Sequence, residues 1–152
     1  MSTALPITEF GLTPDGKTSS AFLVLRGDKR ATTALLAAYA FDREPLPAVG
    51  RRSVVHDGYG RAIAVIETTR VETRRFCEVD AAYAAVEGEG DKSLEHWRRA
   101  HWAYLGAECA RVGVTLDERV EVVLDYFSVV EALVDRSVQR DAVPRSGGAG
   151  SV

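Results

Sequence analysis

The stretch Arg61–Val71 constrains this chain more than any other. Ala62, Ala64, Ile66 and Thr68 alternate there with Ile63, Val65, Glu67 and Thr69. Successive side chains of a strand point to opposite sides, so these two sets lie on opposite faces. The centre is apolar on both faces. A strand of that kind must be covered from both sides, which places it deep in a sheet or barrel.

Partners for it follow from the same patterning. Ser53–Asp57 is rich in β-formers, and Gly58-Tyr59-Gly60 reads as the hairpin turn leading into Arg61. Arg119–Val130 is a third strand, with Val120, Val122, Leu124, Tyr126 and Ser128 opposite Glu121, Val123, Asp125, Phe127 and Val129. Helical segments flank these strands. Leu12–Ser19 carries Gly, Pro, Asp and Ser and reads as a loop, after which Ser20 caps a short helix that Gly27 ends. Ala31–Tyr39 is apolar and reads as a further helical turn or as an extended piece. Pro45-Leu46-Pro47 and Gly50 mark a turn, and Glu78–Ala85 reads as a short helix. A longer helix starts at Asp91 or Ser93, both good N-caps, and stops at Gly113. Leu94, Trp97, His101, Tyr104 or Leu105, and Glu108 recur on it at helical spacing. The expected class is therefore α+β, a mostly antiparallel, barrel-like sheet with helices packed outside.

The chain of 152 residues fits one domain, expected over residues 1–135. Residues 136–152, with Pro144 and the run Ser146-Gly147-Gly148-Ala149-Gly150-Ser151, are too poor in apolar side chains to order themselves. A net charge of -3 excludes a strong whole-chain pull toward nucleic acid. The apolar runs are too short to span a bilayer, so no membrane partner is expected. Met1–Thr13 lacks the charged start and apolar stretch of a secretory signal. Cys77 and Cys109 show no paired-ligand spacing, and two reduced thiols in the cytoplasm are expected. The sequence sets no oligomeric state.

Three segments can carry chemistry. In Glu87-Gly88-Glu89-Gly90-Asp91, three carboxylates alternate with glycines just before the long helix. Glycine lets such a loop turn tightly, and crowded carboxylates shift one another's protonation. The loop reads either as a proton-handling or cation-holding site, or as Asp91 capping the helix while the glutamates complement its positive end. In Gly27-Asp28-Lys29-Arg30-Ala31-Thr32-Thr33, a lysine beside hydroxyls suits activation of a threonine or a grip on phosphate. The plainer reading is a cation at a helix C-terminus. Lys29 follows the helix-ending Gly27 and is expected at a solvent-accessible edge, contributing little to the core. His96 and His101 flank Trp97, but their five-residue spacing does not align the rings for a metal, and no metal or other cofactor is assigned. His101 instead reads as a hydrogen-bonded structural histidine on the Trp97 face. Trp97, Trp102 and Tyr104 read as core or core-edge aromatics, or as a platform for a base. Arg51, Arg52, Arg61, Arg70, Arg74 and Arg75 punctuate the strands, as a solvated surface or as a groove following a phosphate backbone.

Taken in order, these features resemble the ASCH family, PUA-like domains named for activating-signal-cointegrator homology. The matching residues are Gly27-x-Lys29-x-Ala31-Thr32, Leu46-Pro47-x-Val49-Gly50, the turn Asp57–Gly60, Ile66-Glu67-x-Thr69 and Phe76-x-x-Val79. They continue through Glu87-Gly88-Glu89-Gly90-Asp91-x-Ser93-Leu94-x-x-Trp97-Arg98-x-x-His101 to Phe127 in the closing strand. The resemblance implies a small PUA-like β-barrel with flanking helices and a cleft facing RNA or a nucleoside. Members include RNA-binding modules, ribonucleases and amidohydrolases that deacetylate N4-acetylcytidine. In the amidohydrolases a lysine, a threonine three residues later and an acidic-loop glutamate form the active site. Lys29 and Thr32 match the first two, and Glu89, with Glu87 second, matches the third. The catalytic set implied is thus Lys29, Thr32, Glu89 and Glu87, with Arg61, Asp91, Trp97 and His101 expected to contact substrate. Thr32 would attack the acyl carbon, Lys29 would activate it or stabilise the oxyanion, and Glu89 would shuttle the proton. A non-catalytic RNA-binding module is the alternative.

Overall fold

The computed structural model describes residues 4–135. In chain order its elements are β1 (Ile7–Thr8), α1 (Pro14–Arg26), β2 (Ala31–Leu35), α2 (Leu36–Asp42), β3 (Arg52–His56), β4 (Ala62–Arg75), a 3-10 turn (Phe76–Glu78), α3 (Ala81–Glu87), α4 (Leu94–Val112) and β5 (Glu121–Ala132). The segment expected to be disordered, 136–152, lies outside the described residues.

The strand apolar on both faces is the centre of the fold. β4 pairs antiparallel with β3 on one side and with β5 on the other, and Ile63 to Ile66 are all buried. The sheet order is β1-β3-β4-β5-β2; only the short β1–β3 pair is parallel. The sheet is mostly antiparallel, as expected, but it does not close into a barrel. β1 and β2 remain its two edges. Register shifts in the β4–β5 ladder, between Val65 and Ile66 and between Thr68 and Arg70, bend the long pair.

Alternation along β5 feeds two cores. Val122 and Leu124 join Ala31, Leu35, Phe76, Tyr83, Trp97 and Leu105 beneath α3 and α4. Phe127 joins Phe10, Phe22, Leu25, Val55 and Ile63 beneath α1. Each helix docks by the apolar stripe that faces the sheet.

Three readings of the sequence are corrected. The segment expected as a loop, Leu12–Ser19, is largely helix: Thr13 caps α1 by accepting a hydrogen bond from Gly16 N at 3.0 Å, and Pro14 opens the first turn. Proline suits that position because its missing N–H is unpaired there in any helix. The apolar run Ala31–Tyr39 is both of its alternatives in succession, strand to Leu35 and helix from Leu36. The segment Glu78–Ala85 is the end of the 3-10 turn followed by α3, which Asp80 caps and which runs on to Glu87. The long helix starts where one of its two candidate caps put it. Ser93 accepts from His96 N, while Asp91 accepts from Ser93 N in the loop before it.

Candidate functional site

The buried polar cluster begins at the end of α1. Gly27, at φ 82°, closes the helix, and the backbone N–H groups of Asp28 and Lys29 both bond back to Leu23 O. This reversal turns the Lys29 side chain inward. Arg30 N then bonds Val86 O at 2.9 Å, tying the α1–β2 loop to α3. The two loops touch backbone to backbone at Gly88, where a Cβ would lie 1.8 Å from Asp28 O. Gly88 also has φ 78°, a conformation that favours glycine. The glycine of the acidic loop therefore brings Glu87 and Glu89 onto Lys29.

Lys29 is fully buried, which corrects its expected place at a solvent-accessible edge. Its Nζ donates to Ala31 O at 3.0 Å and lies 3.5 Å from Glu87 Oε1 and 3.4 Å from Glu89 Oε1. Glu87 is gripped from every side. Its Oε2 accepts from Thr33 Oγ1 at 2.7 Å and Trp97 Nε1 at 2.8 Å, and its Oε1 meets His101 Nε2 at 2.8 Å. His101 Nδ1 faces the Trp97 carbonyl at 2.9 Å. Burial pushes the Glu87 carboxyl upward, but Lys29, His101 and the hydrogen bonds outweigh it and hold the group well below the usual carboxylate range. Glu89 is held less tightly: Oε1 accepts from Ser20 at 3.2 Å, while Oε2 is buried without a hydrogen-bond partner among the described residues. The cluster thus sets Lys29 between Glu87 and Glu89, with His101 on the far side of Glu87.

Thr32 is not in this cluster. β2 buries Ala31, Thr33 and Leu35 on one face, and Thr32 points to the other. There it lines an open cavity of about 520 Å³ together with Phe10, Tyr39, Arg51, Thr68 and Asp125. Thr32 and Asp125 are register partners on adjacent strands, so their side chains sit side by side. Asp125 Oδ1 accepts from Thr68 Oγ1 at 3.0 Å. Burial pushes the Asp125 carboxyl above its usual range, and the Thr68 hydrogen bond and Arg51 offset this only in part. Burial and Asp125 together push the Tyr39 phenol up to about 12. Phe10 is the side chain shared by the two sites. It lines the cavity, and Lys29 Nζ lies 5.2 Å from its ring centroid.

The expected site residues therefore divide. Lys29, Glu87, Glu89, Trp97 and His101 meet in the buried cluster, where Trp97 and His101 stack at 4.3 Å. Thr32 faces the cavity. Arg61 and Asp91 join neither: Arg61 lies near Asp57 at the β3–β4 turn, and Asp91 is exposed before α4. Of the six arginines along the strands, Arg52, Arg61, Arg70 and Arg74 each lie against a carboxylate, and Arg51 lines the cavity. Among the described residues no group of three or more His, Cys, Asp and Glu side chains is placed to hold a metal ion. Cys77 and Cys109 are free thiols. No helix among the described residues is long and apolar enough to cross a membrane. The sequence reading missed Thr33 and Asp125. Asp125 did leave a signal, a lone carboxylate on the strand face between Val123 and Phe127.

Solved structures with the same fold include an ASCH domain from Lactobacillus crispatus, 36% identical with a TM-score of 0.81, covering 85% of this chain and 81% of that one. A protein of Enterococcus faecalis V583 is 27% identical with a TM-score of 0.74, over 89% of this chain and 86% of that one. No functionally curated protein matches. The ASCH domain pattern spans residues 8–131, which takes in the buried cluster, the cavity lining but for Pro6 and Ile7, and all five strands but the first residue of β1 and the last of β5, and the chain belongs to the ASCH domain family.

Proposed function

We propose that this protein binds RNA or a modified nucleoside by admitting one nucleoside into the 520 Å³ cavity, and that it acts there as a hydrolase. The observation that carries the reading is the Thr32 hydroxyl. It stands on the cavity wall beside Asp125 and makes no hydrogen bond to the protein among the described residues. A volume of this order suits a small molecule, and convergent polar groups are what orient one. Asp125, Arg51, Tyr39 and Thr32 supply those groups, and Phe10 and Ile66 supply apolar surface.

In the hydrolytic step Thr32 Oγ1 attacks an acyl carbon of the substrate, the acyl–nitrogen bond breaks as the hydroxyl proton passes to the departing amine, and water then cleaves the acyl-threonine ester to release the acid and restore the hydroxyl. Lys29 lies on the far side of the cavity wall, 5.2 Å from the Phe10 ring centroid, and is already engaged by Glu87 and Glu89. Non-catalytic recognition is the second reading, favoured by the burial of Lys29.

The net charge of -3 and the paired arginines favour a nucleoside or a short RNA end over long RNA. Calorimetric titration with cytidine, N4-acetylcytidine and a short single-stranded RNA, with mass detection of products, tests the proposal. Binding with a shallow dependence on salt is expected, because the slope counts phosphate contacts. Deacetylated cytidine among the products supports the hydrolase, and binding without product supports the recognition module. Absence of binding by all three ligands rejects the cavity as the site.

A further inference from the structure

The cavity holds a carboxylate that neither the buried cluster nor the packing of the sheet explains. Asp125 sits on the β5 face that also carries Val123 and Phe127, with Ile66 and Phe10 on the same cavity wall. A carboxylate in such surroundings is disfavoured unless donors surround it. Thr68 provides one donor, to Oδ1. Oδ2 receives no hydrogen bond from the protein among the described residues. Arg51 lies near enough to favour its charge, and Oδ2 is open to the cavity, where the N–H or O–H of a ligand can take the place of water. Glu44, the other carboxylate bordering the cavity, is exposed at its rim and has no such need.

An ionised carboxylate can only accept. A nucleobase edge offers it either a donor or another acceptor. Cytosine, adenine and guanine carry an exocyclic amine. Uracil carries a carbonyl oxygen at the corresponding position, and its one ring N–H is flanked by two carbonyls. Against a half-buried carboxylate the amine is attracted and the carbonyl repelled. Taking the cavity as a nucleoside site, as proposed above, we infer that Asp125 is its base-reading residue and selects amine-bearing nucleobases over uracil. Thr68 is the positioning residue. By occupying Oδ1 it leaves Oδ2 as the acceptor presented to the ligand.

Cytidine and uridine test this cleanly, because they have the same ring size and sugar and differ at the base edge alone. Titration of each into the full-length protein should give cytidine an affinity at least about tenfold the higher, the range of one good base contact. Asp125→Asn keeps the shape but presents an amide that can donate or accept. In that variant the ratio should fall below roughly threefold, mainly through tighter uridine binding. A circular dichroism melt of the variant confirms that it is folded, and the parent's own ratio needs no variant at all. Equal affinity for the two nucleosides in the parent, or an unchanged ratio in Asp125→Asn, overturns the inference while leaving the nucleoside site standing. Failure of both nucleosides to bind the parent overturns the site itself.

Discussion

Lys29→Met is the perturbation that tests the buried cluster most directly. Methionine keeps most of the apolar stem and removes the ammonium, so the change is chiefly electrostatic. Lys29 is fully buried, with Glu87 and Glu89 both within 3.5 Å of its Nζ. Without it, Glu87 and Glu89 lose the buried ammonium that both face. Leaving a buried charge unpaired typically destabilises by roughly 3–5 kcal/mol. The variant can escape by taking up a proton on one glutamate. At pH 7, neutralising a carboxyl of ordinary pKa near 4.3 costs about 1.36 kcal/mol for each of roughly 2.7 pH units, or about 3.7 kcal/mol. For a chain of 152 residues that lowers the melting temperature by roughly 7–15 °C. The pH dependence gives a second signature. In the parent, Glu87 titrates below its ordinary value, so its contribution is present above about pH 4.5 and is lost as pH falls further. In the variant, burial acts unopposed by Lys29 and raises the carboxyl, so stability is instead lost as pH rises. The deficit relative to the parent should therefore shrink by about 1.4 kcal/mol per pH unit between pH 7 and pH 5. Urea unfolding followed by circular dichroism at several pH values measures it. A melting temperature within about 2 °C of the parent at pH 7, or a deficit that does not change with pH, would refute the reasoning.

Other outcomes follow from single contacts. Gly88→Ala places a Cβ 1.8 Å from Asp28 O at φ 78°, so it should lose roughly 1–3 kcal/mol or more in urea unfolding, and a change under about 0.5 kcal/mol would show that the loops are not in close contact. Thr32→Ala should leave stability within about 0.5 kcal/mol and reduce any hydrolysis by about a hundredfold or more. Unimpaired turnover in that variant would remove Thr32 as nucleophile. Burial raises the Asp125 carboxyl, so its contribution to stability is present below the ordinary carboxylate range and lost as pH rises. Asp125→Asn should accordingly gain on the parent as pH rises from 4 to 7, and a gain by the parent over that range would contradict the assigned shift.

The sequence alone determined the features that depend on local pattern. A run apolar on both faces had to be a covered strand, and Arg61–Val71 lies within β4 but for its first residue. Asp91 or Ser93 at one end and Gly113 at the other bounded α4, and Gly27 ended α1, because caps and left-handed C-terminal positions are chosen by the chain within a few residues. The grouping of Lys29 with the acidic loop was also legible through family resemblance. The place of Thr32 was not. Two residues three apart share a face in a helix but not in a strand, and the apolar run that begins at Ala31 fits either. Only pairing with β5 made Ala31–Leu35 a strand, sending Thr33 to Glu87 and Thr32 to the cavity. The burial of Lys29 had the same character. It depends on Gly88 admitting the backbone of Asp28, a contact between residues 60 positions apart. Asp125 gained its significance from Thr32, Thr68 and Arg51, which come from other segments of the chain. Local pattern fixes where elements start, stop and bury a face; which side chains face one another across them is set by long-range register and loop contact.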